Sequence, residues 1–311
     1  MNFATHENQP AHAGALGPGN RLEEIEGLVR AGVKTPRDYV SLARMFDAVE
    51  GLLENGIISR ADINALREAS GPAMGPDTIQ GRIFLKPRGY AGDFQTIDDI
   101  YTHRLAADPA LRVWDEGFHN CAAPQAVRNR KGYFKRLLEA STPGKTETLQ
   151  VLDVACGPCR DVSEYLEQYP EAPVHFTCLD QDADALTHGE RLCAPFAAKV
   201  SFVKANALKH STADRYDLVW SAGLFDYLSN DYFVVGLKRL ARLLKPSGEI
   251  VIGNFAPKNP ERAYMELFGE WVLNYRTREE LLSLAQQAGL TEAVVDQEPL
   301  GINLFLRARR A

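Results

Sequence analysis

The residues best suited to chemistry in this sequence lie in the segment Asp153–Cys159, with Ala155, Cys156 and Gly157 at its centre. The segment follows the β-branched apolar run Leu149–Val154 and precedes a helical pattern, so we predict a sharp turn from a strand into a helix. Small residues in such a turn let a ligand approach the backbone, and the free N–H groups of the helix start attract carboxylates or phosphates. The segment is therefore predicted to hold part of a ligand.

Two polar residues end the next predicted strands. Asp180 follows the apolar run Val174–Leu179, at a distance from the turn that suits an acceptor for ribose hydroxyls. Asn206 follows Val200–Lys204, where its amide could read the edge of an adenine ring. Because ligands of open α/β sheets bind outside the carboxyl ends of the strands, we expect both side chains near the turn at Asp153–Cys159.

The pattern Cys156-Gly157-Pro158-Cys159 also matches the redox motif of thioredoxins, which likewise follows a strand and opens a helix. The strands that follow, one ending in Asp and one in Asn, favour a dinucleotide-type fold instead. We interpret the thiols as residues that fill space in a ligand-binding turn. The sequence contains no His, Cys or Asp cluster with the spacing of metal ligands, so it predicts no metal.

Strand and helix patterns alternate from residue 146 onward. Strands are predicted at Leu149–Val154, Val174–Leu179, Val200–Lys204, Tyr216–Trp220, Glu249–Gly253, Ala293–Gln297 and Ile302–Arg307. The helices between them are predicted at Val162–Gln168, Ala183–Leu192, Asp231–Leu244 and Thr277–Ala288. This alternation is typical of a doubly wound α/β protein. We therefore predict a Rossmann-like, seven-stranded, mostly parallel sheet.

The first half of the sequence has helical periodicity instead. Helices are predicted at 21–31, 38–55, 59–66 and 124–140, with a glycine-containing loop at 84–93 and a linker at 141–145. We divide the chain into a flexible tail (1–20), a helical cap or lid (21–145) and the sheet domain (146–311). The cap is expected to cover the carboxyl ends of the strands and to exclude water.

Composition excludes several classes of protein. The formal net charge is −6, and no stripe of Lys or Arg suggests a nucleic-acid partner. No apolar run is long enough to span a bilayer, and the first twenty residues lack the pattern of a signal peptide. The five cysteines are too few and of odd number for a disulfide framework. We expect a cytoplasmic protein that acts on a small molecule, and its oligomeric state is left open.

Five motifs together resemble the class I S-adenosylmethionine-dependent methyltransferases. They occur in the family's order and cover about the last 165 residues; they are Val151–Gly157, Leu179-Asp180, Lys204–Ala207, Tyr216–Val219 and Leu243–Glu249. The sequence departs from the family's glycine pattern at Ala155 and Cys159. The resemblance implies S-adenosylmethionine as the cofactor.

The resemblance also implies positions for the parts of the cofactor. The methionine portion is expected near Asp153 and the backbone of Ala155, Cys156 and Gly157. The ribose is expected at Asp180, with Gln181 beside it. The remaining implied contacts are Asn206 and Ala207 at the adenine, and Ser221 and Ala222 along the cofactor.

Three further segments resemble a smaller bacterial group that includes 3-hydroxypalmitic acid methyl ester synthases and azetidine-2-carboxylate synthases. They are Lys86–Asp93, Ala126–Arg130 and Ser221–Tyr227. Tyr90 and Tyr227 are candidates for aromatic faces toward the sulfonium, a contact worth about 0.5–2 kcal/mol.

Three other candidates each have an ordinary structural alternative. Arg88 is interpreted as a partner of a cofactor or substrate carboxylate, or as a surface arginine beside Asp93. Asn129 would orient an amine or acceptor, or lie on a helix surface. Asp226 would act as a general base, or cap the next helix.

Three functions therefore stay open. The first is methyl transfer to a small molecule or an acyl acceptor, in the biosynthesis of a secondary metabolite or signal. The second is cyclisation of S-adenosylmethionine to azetidine-2-carboxylate with release of methylthioadenosine. The third is a non-catalytic protein that binds the cofactor and docks a partner.

Overall fold

The computed structural model describes residues 25–27, 33–142 and 147–310. Six helices precede the sheet within these ranges: α1 (Pro36–Glu54), α2 (Arg60–Ala69), α3 (Ile79–Leu85), α4 (Phe94–Tyr101), α5 (Pro109–Asn120) and α6 (Ala122–Ser141). Of the predicted helix at 21–31, residues 25–27 are helical and the others lie outside the described residues, as do the predicted tail and most of the linker. Helices α3, α4 and α5 were not predicted.

Polar caps explain where these helices begin. Thr35 and Asp38 form a capping box at the start of α1, and a buried Asp93 accepts a hydrogen bond from the Thr96 N–H at 2.9 Å to begin α4. Each cap satisfies an N–H group that the first helical turn leaves without a partner. The cap at Asp93 thereby fixes the end of the loop between α3 and α4, the loop that contains Tyr90.

The second half forms one seven-stranded sheet, as predicted. Its strands are β1 (Leu149–Val154), β2 (Val174–Asp180), β3 (Val200–Lys204), β4 (Tyr216–Ala222), β5 (Leu244–Phe255), β6 (Leu290–Gln297) and β7 (Asn303–Arg310). The strand order is β3-β2-β1-β4-β5-β7-β6, and β7 runs in the opposite direction to the six other strands. The helices along it are α7 (Arg160–Gln168), α8 (Ala183–Leu192), α9 (Asn230–Ala241), α10 (Arg262–Leu267) and α11 (Arg278–Gln287). The Rossmann-like fold is confirmed.

Helix α6 joins the two halves. Ala126 and Val127 near its start lie in the core of the cap, whereas Phe134 and Leu138 near its end lie in the core beneath the sheet. The Phe134 ring stacks on Trp220 of β4 with centroids 4.6 Å apart. The helix is therefore packed on both sides, and it holds the cap in a fixed position relative to the strands.

The core of the cap also contains residues from the second half of the sequence. Tyr264 of α10 and Phe268, the residue after this helix, pack edge-to-face against Phe46, at centroid distances of 5.0 and 5.3 Å. Trp271 and Leu273 belong to the same core. The cap is thus completed by the segment that follows β5, which the predicted boundary at residue 145 did not anticipate. No helix among the described residues is long and apolar enough to cross a membrane.

Candidate functional site

A cavity of about 450 Å³ lies between the cap and the carboxyl ends of the strands. Its size is typical of sites for small molecules. Twelve of the residues predicted from the sequence line it: Tyr90, Asp153, Ala155, Cys156, Gly157, Asp180, Gln181, Asn206, Ala207, Ala222, Asp226 and Tyr227. The fold therefore brings both groups of candidates, those of the sheet and those of the cap, to one enclosure.

The turn after β1 is tightly wound. Ala155, Gly157 and Cys159 all adopt left-handed backbone angles, with φ of 54°, 56° and 52°. This conformation costs a residue with a side chain about 1–2 kcal/mol, and it is the reason glycine is usual here. The Gly157 N–H donates to the Asp180 carboxylate at 3.0 Å, and the Cys156 N–H donates to the Leu179 carbonyl at 3.1 Å. These bonds attach the turn to the end of β2.

A buried group of charges occupies one side of the cavity. The carboxylates of Asp153, Asp161 and Asp226 line it together with the guanidinium of Arg130. Burial, followed by the repulsion of Asp161, raises the pKa of Asp153 well above its usual range. Burial likewise raises the pKa of Asp226 to about 6, although its carboxylate accepts a hydrogen bond from the Phe255 N–H at 2.7 Å. The side chains in this group are therefore suited to binding or moving protons near neutral pH.

Arg130 is held in place by a hydrogen bond within the cap, and a glycine of the sheet domain leaves room for its guanidinium. Its Nε donates to the hydroxyl of Tyr101 at 3.1 Å, the one hydrogen bond that its guanidinium makes with the described residues. A Cβ atom at Gly223 would lie 3.3 Å from Nη1, so the glycine gives the guanidinium room at the end of β4. Arg130 is the one cationic side chain among the described residues that line the cavity. It supplies a fork of donors suited to a carboxylate.

Aromatic side chains also line the cavity. The Tyr227 hydroxyl accepts a hydrogen bond from Nε1 of Trp271 at 2.8 Å. A Cβ atom at Gly92 would lie 2.7 Å from that hydroxyl and 2.8 Å from the Trp271 ring, so only glycine fits there without displacement. Burial raises the pKa of both Tyr90 and Tyr227, and both phenols stay protonated at neutral pH. The loop from the cap is thus packed directly on this aromatic pair.

Three predicted site residues do not line the cavity. Arg88 pairs with Asp184 at 2.6 Å and lies over the Phe94 ring. The Asn129 amide donates to Glu298 at 2.8 Å, and the buried Ser221 hydroxyl donates to the Val154 carbonyl at 2.9 Å. Each of these side chains is used to hold other parts of the structure.

Several lining residues were missed, among them four with polar groups: Tyr101, Arg130, Asp161 and Trp271. A signal for Arg130 was present, because it falls on the buried stripe of α6 at helical spacing from Ala126, Val127 and Phe134. An arginine on such a stripe is rarely buried without a function or a partner. Trp271 lies in a segment that has no clear strand or helix pattern, so nothing in the sequence indicated it.

The fold also creates a thiol cluster that the sequence spacing did not reveal. The sulfur atoms of Cys156, Cys159 and Cys178 lie within 4.8 Å of one another. Cys178 joins the other two because β2 pairs with β1 in the register that places it opposite Asp153. The prediction of no metal rested on sequence spacing alone, which cannot detect a ligand from a neighbouring strand.

Comparison with known proteins supports the class that the fold and the turn indicate. Residues 151–248, about a third of the chain, match the family described as "Methyltransferase domain". No curated protein sequence is significantly similar to this chain. This segment is therefore similar to a methyltransferase domain, which agrees with its Rossmann-like fold, and such a domain implies S-adenosylmethionine as the cofactor, as predicted.

Solved structures extend the likeness to the cap. A possible exported protein from Bordetella parapertussis is similar over 95% of this chain and 97% of its own, with 20% identity and a TM-score of 0.65. The CMeT domain of the citrinin polyketide synthase is similar over 86% of this chain and 69% of its own, with 13% identity and a TM-score of 0.54. At these identities the likeness concerns the fold alone. The resemblance to the narrower group of synthases stays a prediction, as does a cytoplasmic location.

Proposed function

We propose that this protein transfers the methyl group of S-adenosylmethionine to a small acceptor that carries a carboxylate or hydroxy acid. The observation that carries the proposal is the placement of one buried guanidinium, that of Arg130, in the same enclosure as the cofactor turn. Apolar side chains, among them Ile97, Val127, Phe255 and Leu273, line the cavity as well. An acyl acceptor with an acidic head group matches this combination.

The residues of the cavity suit the cofactor. The buried Oδ2 atom of Asp153 has no hydrogen-bond partner in the protein, and an ammonium group beside it would supply one. The Asp180 carboxylate, which already accepts two backbone N–H groups, keeps lone pairs for ribose hydroxyls. We assign the methionine portion to Asp153 and the turn, the ribose to Asp180, and the adenine to Asn206 and Ala207.

When bound, S-adenosylmethionine supplies an electron-poor carbon next to its sulfonium. The side chains of the protein orient the acceptor and manage its proton. Arg130 binds the acidic group of the acceptor. Where the attacking atom is a hydroxyl oxygen, Asp226, with its pKa of about 6, accepts the proton that this hydroxyl loses. The rings of Tyr90 and Tyr227 face a cation favourably, and the cap excludes water from the enclosure.

A second candidate, cyclisation of the cofactor itself, is favoured by the pair Asp153 and Asp161. Both carboxylates are buried beside the turn that would hold the α-amine. Burial raises the pKa of each, so each is a stronger base than an exposed aspartate and suited to removing a proton from that amine. A neutral amine is the form that cyclisation requires.

One experiment separates these candidates. Purified protein is incubated with S-adenosylmethionine, with and without a hydroxy fatty acid, and the nucleoside products are separated by chromatography. S-adenosylhomocysteine formed only with the acceptor supports methyl transfer, whereas methylthioadenosine formed without it supports cyclisation. Asp226→Asn is compared with Asp231→Asn, which changes an exposed carboxylate of α9 and should leave turnover unchanged. Cofactor binding with neither product would overturn both candidates and leave a binding protein.

A further inference from the structure

Three buried thiols meet behind the turn that borders the cavity. Cys156 lies within the turn, Cys159 is the residue before α7, and Cys178 is on β2. Their sulfur atoms are all within 4.8 Å of one another, and all three thiols are free. The two other cysteines, Cys121 and Cys193, are also buried but lie outside this cluster. Two sulfurs from the turn and one from a neighbouring strand supply three possible metal ligands, one more than the pair of a redox motif.

We propose that Cys156, Cys159 and Cys178 form a binding site for a soft metal ion, specifically Cu(I). Thiolates select soft ions such as Cu(I) and zinc over hard ones. Metal–sulfur bonds of about 2.3 Å place the sulfurs of a three-coordinate ion about 4.0 Å apart. The observed spacing therefore requires a contraction of less than about 1 Å to enclose an ion.

The ligand set favours copper over zinc. Structural zinc sites are almost always four-coordinate. No His, Asp or Glu ligand atom among the described residues joins the three sulfurs within the same 4.8 Å. A set of three thiolates satisfies an ion that accepts three soft ligands, whereas zinc would need a fourth ligand from outside the cluster.

An ion can reach this site through the cavity. Cys156 lines the cavity and is 7% exposed, whereas Cys159 and Cys178 are fully buried behind it. The thiols must lose protons on binding, and the open cavity gives those protons a route to solvent. The site is independent of the proposed reaction, because its formation requires neither an acceptor nor turnover.

The test is a binding measurement on the reduced full-length protein. The protein is titrated anaerobically with Cu(I) held by a coloured chelator, and in parallel with Zn(II). We expect one Cu(I) per chain that survives gel filtration, shown by elemental analysis and by thiolate-to-copper charge-transfer absorption. Cys178→Ser should weaken Cu(I) binding by at least about tenfold, since even outer-shell changes cost that much. Cys121→Ser, which alters a buried thiol in the core of the cap, should bind like the unmodified chain.

A measurement on the unmodified chain guards against a variant that fails to fold. Bound Cu(I) should protect Cys156, Cys159 and Cys178 from alkylation on partial unfolding, as read by peptide mass spectrometry, and leave Cys121 unprotected. Equal Cu(I) binding by Cys178→Ser and the unmodified chain would overturn the proposal. Retention of Zn(II) without retention of Cu(I) would also overturn it. The same holds if Cys156 and Cys159 are found as a disulfide and the protein binds no copper after that disulfide is reduced.

Discussion

The sheet domain and the cap contribute to the same cavity by different means. The sheet domain supplies backbone groups and strand-end side chains, as in the Gly157 N–H that binds Asp180 at the end of β2. The cap supplies side chains carried on its helices and loops, chiefly those of Arg130 and Tyr90. A contact made by the backbone tolerates changes of side chain, whereas a contact made by a side chain depends on that residue. The cap should therefore be the more sensitive half to substitution.

The largest effect is expected at Arg130, where the cap places its cation among buried carboxylates. Arg130→Ala leaves Asp226 and Asp161 without that counter-charge, so the free energy of unfolding should fall by about 3–5 kcal/mol. Urea denaturation at neutral pH measures the change. Arg130→Lys should lose less, and Arg136→Ala, an exposed arginine on the same helix, should change little. Equal stabilities for Arg130→Ala and Arg136→Ala would contradict the assignment of a charge role to the cap.

The sequence predicts the sheet side of the site better than the cap side. The turn at Asp153–Cys159, Asp180 and Asn206 were predicted because each follows a short apolar run, and strand ends can be read from local pattern. Asn129 was chosen where its neighbour Arg130 enters the cavity. Adjacent residues on a helix point about 100° apart, and only packing decides which face is inward.

Segments without periodicity were the hardest to place. Trp271 follows α10 in a stretch with no strand or helix pattern, and its place in the core of the cap depends on contacts far away in sequence. The same holds for Cys178, which reaches the other thiols only through the pairing of β2 with β1. Long-range packing of this kind cannot be deduced from one sequence.

The second prediction concerns Asp226, which links the two halves by facing Arg130 of the cap. Burial holds the pKa of Asp226 at about 6, compared with an ordinary 3.8, so the folded state keeps this proton to higher pH than the unfolded state does. The contribution of protonated Asp226 to the free energy of unfolding is thus complete below about pH 4, and it is lost as the pH rises through about 6. At neutral pH the ionised carboxylate disfavours folding by about 3 kcal/mol.

Asp226→Asn should therefore raise the melting temperature at pH 7 and reduce the decline between pH 4 and 6, while turnover falls. Thermal unfolding across that pH range, followed by circular dichroism, checks the claim. Asp231→Asn, which changes an exposed carboxylate, should keep the pH dependence of the unmodified chain. A variant at position 226 that is no more stable at pH 7 would show that Arg130 and Arg276 compensate the charge fully.

The third prediction tests the sheet side of the comparison at Asp180. A substitution that removes the whole carboxylate would also leave the Gly157 N–H without its acceptor. We therefore choose Asp180→Asn, because the amide oxygen can still accept the hydrogen bond from the Gly157 N–H. Affinity for S-adenosylmethionine should fall by about 1–3 kcal/mol, because a ribose hydroxyl loses its acceptor. Isothermal titration calorimetry measures the loss. Glu171→Gln removes an exposed carboxylate before β2 and serves as the control, and equal affinities would remove Asp180 from the cofactor site.

The smallest effect is expected at the contact where the two regions meet. Tyr227 follows β4 and accepts a hydrogen bond from Trp271, a residue of the cap's core. Tyr227→Phe keeps the ring and removes only this acceptor, so the indole N–H loses its partner at a cost of about 1 kcal/mol. For a chain of this length the melting temperature should fall by about 2 °C.

Tyr90→Phe is the matched control, because the Tyr90 hydroxyl makes no hydrogen bond with the described residues, and its melting temperature should not change. Both rings remain in place, so affinity for S-adenosylmethionine should be similar in the two variants. If the hydroxyl of Tyr227 serves only to join cap and sheet, Tyr227→Phe loses stability while its turnover at saturating substrate stays near that of Tyr90→Phe. A large loss of turnover confined to Tyr227→Phe, without loss of stability, would instead place this hydroxyl against the acceptor and make the boundary between the two regions part of the chemistry.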